Sequence, residues 1–216
     1  MKAQTITEWI FLLVIIDQAI KIIIHAFFLE TRFEIIPSLL EFKPTFNSHY
    51  SYFNSLLYNK YHIDIGLYYH IILYIFAETA VIAIYVTFKS ISKNTKFLDI
   101  AFIFQLAGII CVLIGSLIWE KGTLDYIYLK PLFVFDLKDI YLNCFAVFFL
   151  ISAHKNKTQM KTVRMKDIPA YVKNWLRCKK INRKSAHYQT CIPSGMHPKM
   201  FGLEYVERYI LKQVEN

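Results

Sequence analysis

The chain has 216 residues, of which 56% are hydrophobic, 17% are aromatic and 19% are charged. A soluble domain is seldom this apolar, and the composition indicates a membrane protein. The formal net charge of +9 arises from residues 154–216, where 14 Lys and Arg face 4 Asp and Glu. The charge therefore describes the end of the chain and not its apolar segments.

Four apolar segments approach the roughly 20 residues that a transmembrane helix needs. They cover about residues 9–29, 67–88, 98–119 and 139–153. The fourth is the shortest and reaches a workable length only when its start near Asp139 is included. We therefore expect a four-helix membrane domain over residues 1–153, followed by a basic tail over residues 154–216.

The first apolar segment contains two charged residues, Asp17 and Lys21. Side chains four residues apart lie on the same face of a helix, so the two can pair, and pairing lowers the cost of keeping either charge in hydrocarbon. The pair is interpretable as a structural ion pair or as a support for a functional site, and both can hold at once. The segment lacks a small-residue cleavage site, so we expect a retained helix and not a cleaved signal peptide.

The connection after this segment, residues 34–53, alternates apolar and polar residues and is interrupted by prolines. This pattern indicates short strands that lie on the membrane surface. Tyrosine is favoured at membrane interfaces because its ring is apolar and its tip is polar. An interfacial aromatic belt is therefore the ordinary interpretation of Tyr50, Tyr52 and Phe53.

Basic residues predict the orientation in the membrane. The connection between the second and third segments carries Lys89, Lys93 and Lys96 against Asp99, and the tail is basic as well. Since cytoplasmic connections are enriched in Lys and Arg, we expect both termini in the cytoplasm and the connections 31–66 and 120–139 outside. The expected fold is an all-α membrane protein with four transmembrane helices, a small extracytoplasmic β-rich loop region and a cytoplasmic helical tail.

The second outward connection contains two carboxylates, Asp125 and Asp139. Gly122 and Pro131 favour a chain reversal that brings them together. Two carboxylates held close do not both ionise readily, so one can take a proton from water while its protonated partner donates to a scissile carbonyl. Such a pair suits peptide hydrolysis without a metal or cofactor. Taken separately, Asp125 is interpretable as a turn residue and Asp139 as a helix cap.

Four short motifs occur in order between about residues 8 and 153. They are Asp17-Gln18-Ala19-Ile20-Lys21, Phe46-Asn47, Thr123-Leu124-Asp125-Tyr126 and Phe135-Asp136-Leu137-Lys138-Asp139. In their order and spacing they resemble those of signal peptidase II, the lipoprotein signal peptidase. That family carries Asp-Gln-x-x-Lys, Arg-Asn-x-Gly-Ala-Ala-Phe, Val-Val-Asp-Phe and Phe-Asn-x-Ala-Asp.

The resemblance implies a membrane aspartic endopeptidase that removes the signal peptide from diacylglyceryl-modified prolipoproteins by cutting before the lipidated cysteine. It implies a catalytic pair, Asp125 and Asp139, with no metal and no cofactor. Polar support would come from five residues: Asp17, Lys21, Asn47, Ser116 and Asp136. Of these, Ser116 and Asp136 stand where the family has Asn. Aromatic residues of the outward connections would bind the substrate: Tyr50, Tyr52, Phe53 and Tyr126.

The same resemblance implies a multi-pass protein of the bacterial inner membrane with its site on the outer face. We expect a monomer whose partners are the prolipoprotein substrate and membrane lipids, and not a nucleic acid. The alternative is a catalytically impaired family member. Such a protein would keep the four-helix scaffold and act as a membrane binding or scaffold protein for lipidated peptides or for another partner.

The tail contains two apolar stripes at helical spacing. The first follows a start signal at Asp167 and Pro169 and consists of Ile168, Tyr171, Val172, Trp175 and Leu176, with Lys173, Arg177 and Lys180 away from it. This pattern predicts a basic amphipathic helix that suits anionic lipid. The second stripe consists of Leu203, Val206, Ile210 and Val214. The two stripes are equally interpretable as helices that pack on each other.

Overall fold

The computed structural model describes residues 1–49, 51–92, 94–119, 121–161 and 163–182. The helices of this part of the chain are α1 (Ala3–Ile23), α2 (Tyr52–Tyr61), α3 (Leu67–Ile91), α4 (Lys96–Ile118), α5 (Leu137–Lys155), α6 (Lys157–Met160) and α7 (Ile168–Asn182). A π-helical turn, Ile24–Phe28, extends α1, and a 3-10 turn, Met165–Asp167, precedes α7. The strands are β1 (Phe33–Ile36), β2 (Leu40–Asn47), β3 (Thr123–Leu129) and β4 (Phe133–Phe135).

Four helices are long and apolar enough to cross a membrane: α1 together with its π-helical turn, α3, α4 and α5. The prediction of four membrane-spanning helices is thus confirmed at the level of length and composition. The 19-residue helix α5 begins at Leu137, so the fourth span includes Asp139, as its length required. Many apolar side chains on these helices are exposed, among them Phe27, Tyr68 and Phe76. Exposed apolar surface of this extent suits contact with lipid.

Helix α4 is the most buried of the spanning helices and packs against both α1 and α5. Its contact with α5 is close, because a Cβ atom at Gly108 would lie 2.8 Å from Cδ2 of Leu142. Small residues commonly permit such close approach between membrane helices. Tyr141 of α5 also reaches α1, where its hydroxyl donates to the carbonyl oxygen of Leu13 at 3.1 Å. These contacts hold the start of α5 beside α1 and α4.

A four-stranded antiparallel sheet in the order β1-β2-β3-β4 joins the two long connections. Between β2 and β3, Asn47 pairs with Thr123 and Thr45 with Asp125. Gly122 has a φ of +92°, and a Cβ atom there would lie 2.1 Å from the carbonyl oxygen of Asn47. Glycine therefore allows β3 to begin very close to the end of β2. The prediction of a small β-rich region is confirmed as this sheet.

The structure corrects the sequence-based expectation for the connections in two respects. The prediction of strand structure through residue 53 is wrong, because helix α2 begins at Tyr52. Ser51 caps this helix, since its hydroxyl oxygen accepts the backbone N–H of Asn54 at 3.1 Å. In the second connection, two strands, β3 and β4, form where the sequence pattern indicated only a chain reversal.

The chain divides into two compact units. The first comprises residues 1–82 and 94–156, and the second comprises residues 83–93 and the chain from residue 157. In the second unit, the first predicted stripe of the tail forms α7, where Tyr171 is buried and Trp175 and Leu176 are exposed. The side chains of Arg177 and Lys180 lie outside the described residues, as does the whole second stripe, Leu203, Val206, Ile210 and Val214.

Candidate active site

Asp125 lies in β3, and its side chain is only 6% exposed. Burial removes a carboxylate from water and disfavours its charged form. The pKa of Asp125 accordingly rises from 3.8 to about 6, chiefly because of burial, while the charge of Lys138 opposes the rise and the carboxylate of Asp136 adds to it. Asp125 therefore holds a proton more tightly than an ordinary aspartate.

Asp136 and Asp139 form a reciprocal cap at the start of α5. Asp136 is the N-cap residue, and its Oδ1 accepts the backbone N–H of Asp139 at 3.3 Å. In return, Oδ2 of Asp139 accepts the backbone N–H of Asp136 at 3.1 Å. This arrangement is a capping box. The assignment of Asp139 as the cap residue itself is therefore corrected, because Asp136 has that position and Asp139 is the third residue of the helix.

Lys138 lies at the centre of three carboxylates. Its Nζ is 2.7 Å from Oδ1 of Asp125, 2.9 Å from Oδ1 of Asp136 and 3.3 Å from Oδ2 of Asp139. Oxygen atoms of these three carboxylates lie within 4.8 Å of one another, a separation at which they can share one cation. The ammonium group of Lys138 is that cation. Asp125 and Asp139, fourteen positions apart in sequence, thus meet around a single lysine.

A second lysine joins the cluster from α1. Nζ of Lys21 lies 2.8 Å from Oδ2 of Asp17 and 2.7 Å from Oδ2 of Asp136. The predicted pairing of Asp17 with Lys21 is confirmed, and the structure adds Asp136 as a further partner. Burial acts to raise the pKa of Asp136, but the charges of Lys138 and Lys21 outweigh it and lower that pKa. Asp136 therefore stays ionised to a lower pH than an ordinary aspartate does.

The cluster contains four carboxylates and two ammonium groups, which belong to Asp17, Asp125, Asp136, Asp139, Lys21 and Lys138. With every group ionised, two negative charges are left unbalanced. One proton on a carboxylate halves that excess, and a low-dielectric site strongly favours the smaller charge. Asp125, whose pKa is raised to about 6, is suited to hold this proton. The arrangement can therefore present one protonated and one ionised carboxyl group together.

A cavity of about 350 Å³ opens beside the cluster. Its lining comes from the sheet, from α5 and from the turn before α2: Asn47, Ser51, Thr123, Asp125, Phe133, Val134, Lys138, Asp139, Leu142 and Asn143. A second cavity of about 250 Å³ also borders Asn47 and Asp125. The side chain of Asp139 is 36% exposed, so water reaches Asp139 more readily than Asp125.

Of the other residues predicted for the site, Asn47 borders the cavities, whereas Ser116 and Tyr126 do not. Asn47 borders both cavities, and its Oδ1 accepts the backbone N–H of His49 at 3.2 Å. The Ser116 hydroxyl is buried without a hydrogen-bond partner among the described residues. Tyr126 packs with Ile24 and Leu124 in an apolar cluster. Adjacent strand residues point to opposite faces, so its ring lies away from the face that carries Asp125.

Three predicted substrate-binding residues are not placed. Tyr50 lies outside the described residues, and so do the side chains of Tyr52 and Phe53.

Sequence reasoning missed the part played by Lys138. A signal was present, because Lys138 stands at the position where the Phe-Asn-x-Ala-Asp motif has Ala. Lys138 also lies between Asp136 and Asp139 at the start of an apolar helix. A charged side chain at such a place is costly in lipid unless it pairs with an opposite charge.

Two solved structures share the fold. Both are described as bacterial membrane enzyme structures by the in meso method, one at 1.9 Å and one at 2.3 Å resolution. The first is 22% identical, with a TM-score of 0.52 and coverage of 71% of this chain and 95% of that chain. The second is 19% identical, with a TM-score of 0.52 and coverage of 76% and 95%. Comparison with curated proteins gives no match.

The family profile described as Signal peptidase (SPase) II matches residues 9–155. This range contains α3, α4 and α5, helix α1 from residue 9 onward, the sheet and every member of the charged cluster. It supports, in general terms, the role of a lipoprotein signal peptidase in a bacterial multi-pass membrane protein. The chain belongs to the signal peptidase II family.

Proposed function

We propose that this protein is a membrane aspartic endopeptidase that removes the signal peptide from diacylglyceryl-modified prolipoproteins by cutting the bond before the lipidated cysteine. Family membership supports the peptidase role. The observation that carries the aspartic assignment is that Asp125 and Asp139 border one cavity and contact the same ammonium group. No metal and no cofactor enters the proposed reaction.

In the proposed reaction the two carboxyl groups have different roles. Asp139, the more exposed, takes a proton from water, whose oxygen attacks the scissile carbonyl carbon. Asp125, with a pKa raised to about 6, donates its proton to the carbonyl oxygen. Collapse of the tetrahedral intermediate returns that proton to Asp125, breaks the C–N bond and passes the proton held by Asp139 to the leaving amine. Water is thus divided between the new carboxyl and amino termini.

The charged residues around the pair would hold it in place. Lys21 connects Asp17 of α1 to Asp136 at the start of α5, and Asp136 in turn fixes the backbone that carries Asp139. Asn47, which borders both cavities, is suited to hydrogen-bond the extended substrate backbone. Ser116, which borders neither cavity, has no place in this scheme.

The location of the pair suits a lipidated substrate. Asp125 lies in the sheet and Asp139 in the first turn of a helix that can span a membrane. At such a boundary the acyl chains can stay in hydrocarbon while the scissile amide reaches water. We place the site on the outer face of the bacterial inner membrane, with both termini cytoplasmic. Tyr50, Tyr52 and Phe53 are proposed to clamp the lipidated peptide, and α7 to lie on anionic lipid.

Cleavage of a synthetic diacylglyceryl-cysteine signal peptide by the purified protein in lipid tests the function. We expect one new amino terminus at the modified cysteine, identified by mass spectrometry. Asp125→Asn and Asp139→Asn should each lower kcat at least about a thousandfold, because neither variant holds both an acid and a base. Lys130→Met is the matched control: it removes a lysine that pairs with Glu34 and Glu41 outside the cluster.

Cleavage by either asparagine variant at the wild-type rate would contradict the aspartic assignment. A wild-type protein that binds the lipidated peptide without cutting it would support the alternative, a binding protein that keeps the family scaffold.

A further inference from the structure

We infer that Lys138 is a positioning residue for the proposed hydrolysis: its ammonium group bridges Asp125 and Asp139 and determines the pH at which the two carboxyl groups together hold one proton. The inference rests on the proposed function and adds to it a residue that controls the acid–base state of the pair. The reacting atoms themselves remain those of the two aspartates and of water.

The contacts of Lys138 carry the argument. Its side chain is 8% exposed. Its Nζ donates hydrogen bonds to Asp125 at 2.7 Å and to Asp139 at 3.3 Å, and it forms an ion pair with Asp136 at 2.9 Å. A buried ammonium group acts on its neighbours with little screening by water. Because Lys138 also borders the cavity, its charge acts where the substrate amide would bind. No other lysine among the described residues contacts Asp125 or Asp139.

The sign of the effect follows from charge. A positive group favours the ionised form of a carboxyl group and so makes it release its proton at lower pH. Burial acts on Asp125 in the opposite direction and prevails, giving a pKa of about 6. Lys138 therefore limits how far burial raises the proton affinity of the pair. Without it, the pair would keep its proton to a higher pH.

The remaining titratable groups around the pair do not reproduce this effect. Those near the pair or its charged neighbours are Asp136, Asp17, Lys21, Cys111, His49, Tyr74, Tyr126 and Tyr141. Cys111 lies beside Asp17, and His49 borders the second cavity with its Nδ1 4.0 Å from Asp64. The tyrosines are neutral below about pH 9. Asp17 and Lys21 neutralise each other through their 2.8 Å contact. Asp136 is negative and acts against Lys138, so removal of its charge should shift the pair in the direction opposite to removal of the Lys138 charge.

The test is the pH dependence of kcat/KM for cleavage of the diacylglyceryl-cysteine peptide by the full-length protein. In Lys138→Met the alkaline limb should move to higher pH by about one to three units, the usual effect of one nearby charge. In Asp136→Asn it should move to lower pH, and Asn keeps the N-cap. Lys138→Arg, which retains the charge, and the control Lys130→Met should keep the wild-type limb.

Several results would overturn the inference. A lower rate at every pH with an unmoved limb in Lys138→Met would assign Lys138 a structural role only. A higher rate at every pH with an unmoved limb would make Lys138 a steric obstacle. If Lys138→Met does not fold, Asp136→Asn and Lys138→Gln provide the test. If either variant folds and its alkaline limb in the pH dependence of kcat/KM stays at the wild-type position, the inference about Lys138 is rejected.

A second measurement separates this inference from the proposed function. The infrared carbonyl band of a protonated carboxyl group, assigned by its loss in Asp125→Asn, can be titrated without any cleavage. The band should persist to higher pH in Lys138→Met than in wild type. If the wild-type protein does not cleave the peptide but the band shifts, the proposed function fails, while the control of Lys138 over the proton affinity of the carboxyl pair is supported. If cleavage occurs and neither band nor limb shifts, only the role of Lys138 fails.

Discussion

Asp125 shows how a single side chain links the site to the stability of the fold. The unfolded chain titrates this group at its ordinary value of 3.8, whereas burial raises the pKa in the folded protein to about 6. The folded state therefore binds this proton more tightly than the unfolded state does. The contribution to stability is complete below about pH 3.8 and is lost as the pH rises through 6.

This linkage gives a prediction for Asp125→Asn, which cannot release a proton. Between about pH 4 and 6.5, the free energy of unfolding of the wild-type protein in detergent should fall more steeply than that of Asp125→Asn, because only the wild type loses this contribution. Thermal unfolding followed by circular dichroism measures the difference. The control Glu30→Gln changes an exposed glutamate and should keep the wild-type slope. Identical slopes for wild type and Asp125→Asn would refute the prediction.

At the scale of residues, the sequence predicted the carboxyl pair and the Asp17–Lys21 contact but not the lysine between the carboxylates. The carboxyl pair could be predicted because its aspartates occur in ordered motifs. The Asp17–Lys21 contact could be predicted because the two residues have helical spacing. The direction of the Lys138 side chain could not be predicted, because it depends on where α5 begins and on the β3 strand that presents Asp125. The residue that caps α5 could not be predicted for the same reason.

At the scale of elements, the start of β3 depends on Gly122. Its φ of +92° favours glycine, and a Cβ atom would lie 2.1 Å from the backbone carbonyl oxygen of Asn47. The backbone of Asn47 cannot move aside to make room for a Cβ atom as a flexible side chain could. A side chain at this position would therefore separate β3 from β2 at the end of the sheet nearest Asp125.

Gly122→Ala should destabilise the protein by at least about 1–3 kcal/mol, the usual cost of a strained backbone conformation, and should lower kcat/KM more than tenfold as Asp125 moves. Unfolding in detergent and cleavage of the lipidated peptide measure the two effects. Gly66→Ala is the matched control, since a Cβ atom there meets nothing within 4 Å. Equal behaviour of the two variants would show that the close approach at Gly122 has no influence on the site.

The elements that the sequence did not predict depend on distant partners. Strand β3 pairs with β2, which lies more than 75 positions earlier in the chain, and the register between them cannot be read from either segment alone. Helix α2 is short and weakly apolar. Its only clear local signal is Ser51 before it, a typical N-cap residue. The spanning helices, in contrast, follow from length and hydropathy within each segment.

At the scale of the whole molecule, the distribution of basic residues predicts the orientation of the chain in the membrane. The tail from residue 154 carries 14 of the 25 Lys and Arg residues, and cytoplasmic segments are enriched in these residues. The loop before β3, which contains the exposed Lys121, should then face the opposite side.

Labelling with a membrane-impermeant thiol reagent tests this orientation. In a background with the other cysteines changed to serine, a Lys121→Cys protein should react in intact cells. A protein that retains only Cys178 of the tail should react only after the membrane is permeabilised. The reverse pattern would place the carboxyl pair on the cytoplasmic face and exclude the proposed access of a secreted precursor.

The arrangement of charges also has a consequence for biosynthesis. Helix α1 carries its own counter-ion, since Asp17 pairs with Lys21, and the start of α5 does the same through Asp136 and Lys138. While the ribosome is still making the middle of the chain, α1 can enter lipid as an electrically balanced unit. The contact between Lys21 and Asp136 forms only once the last span arrives. The nascent protein can thus be inserted stepwise without exposing an isolated charge to the bilayer.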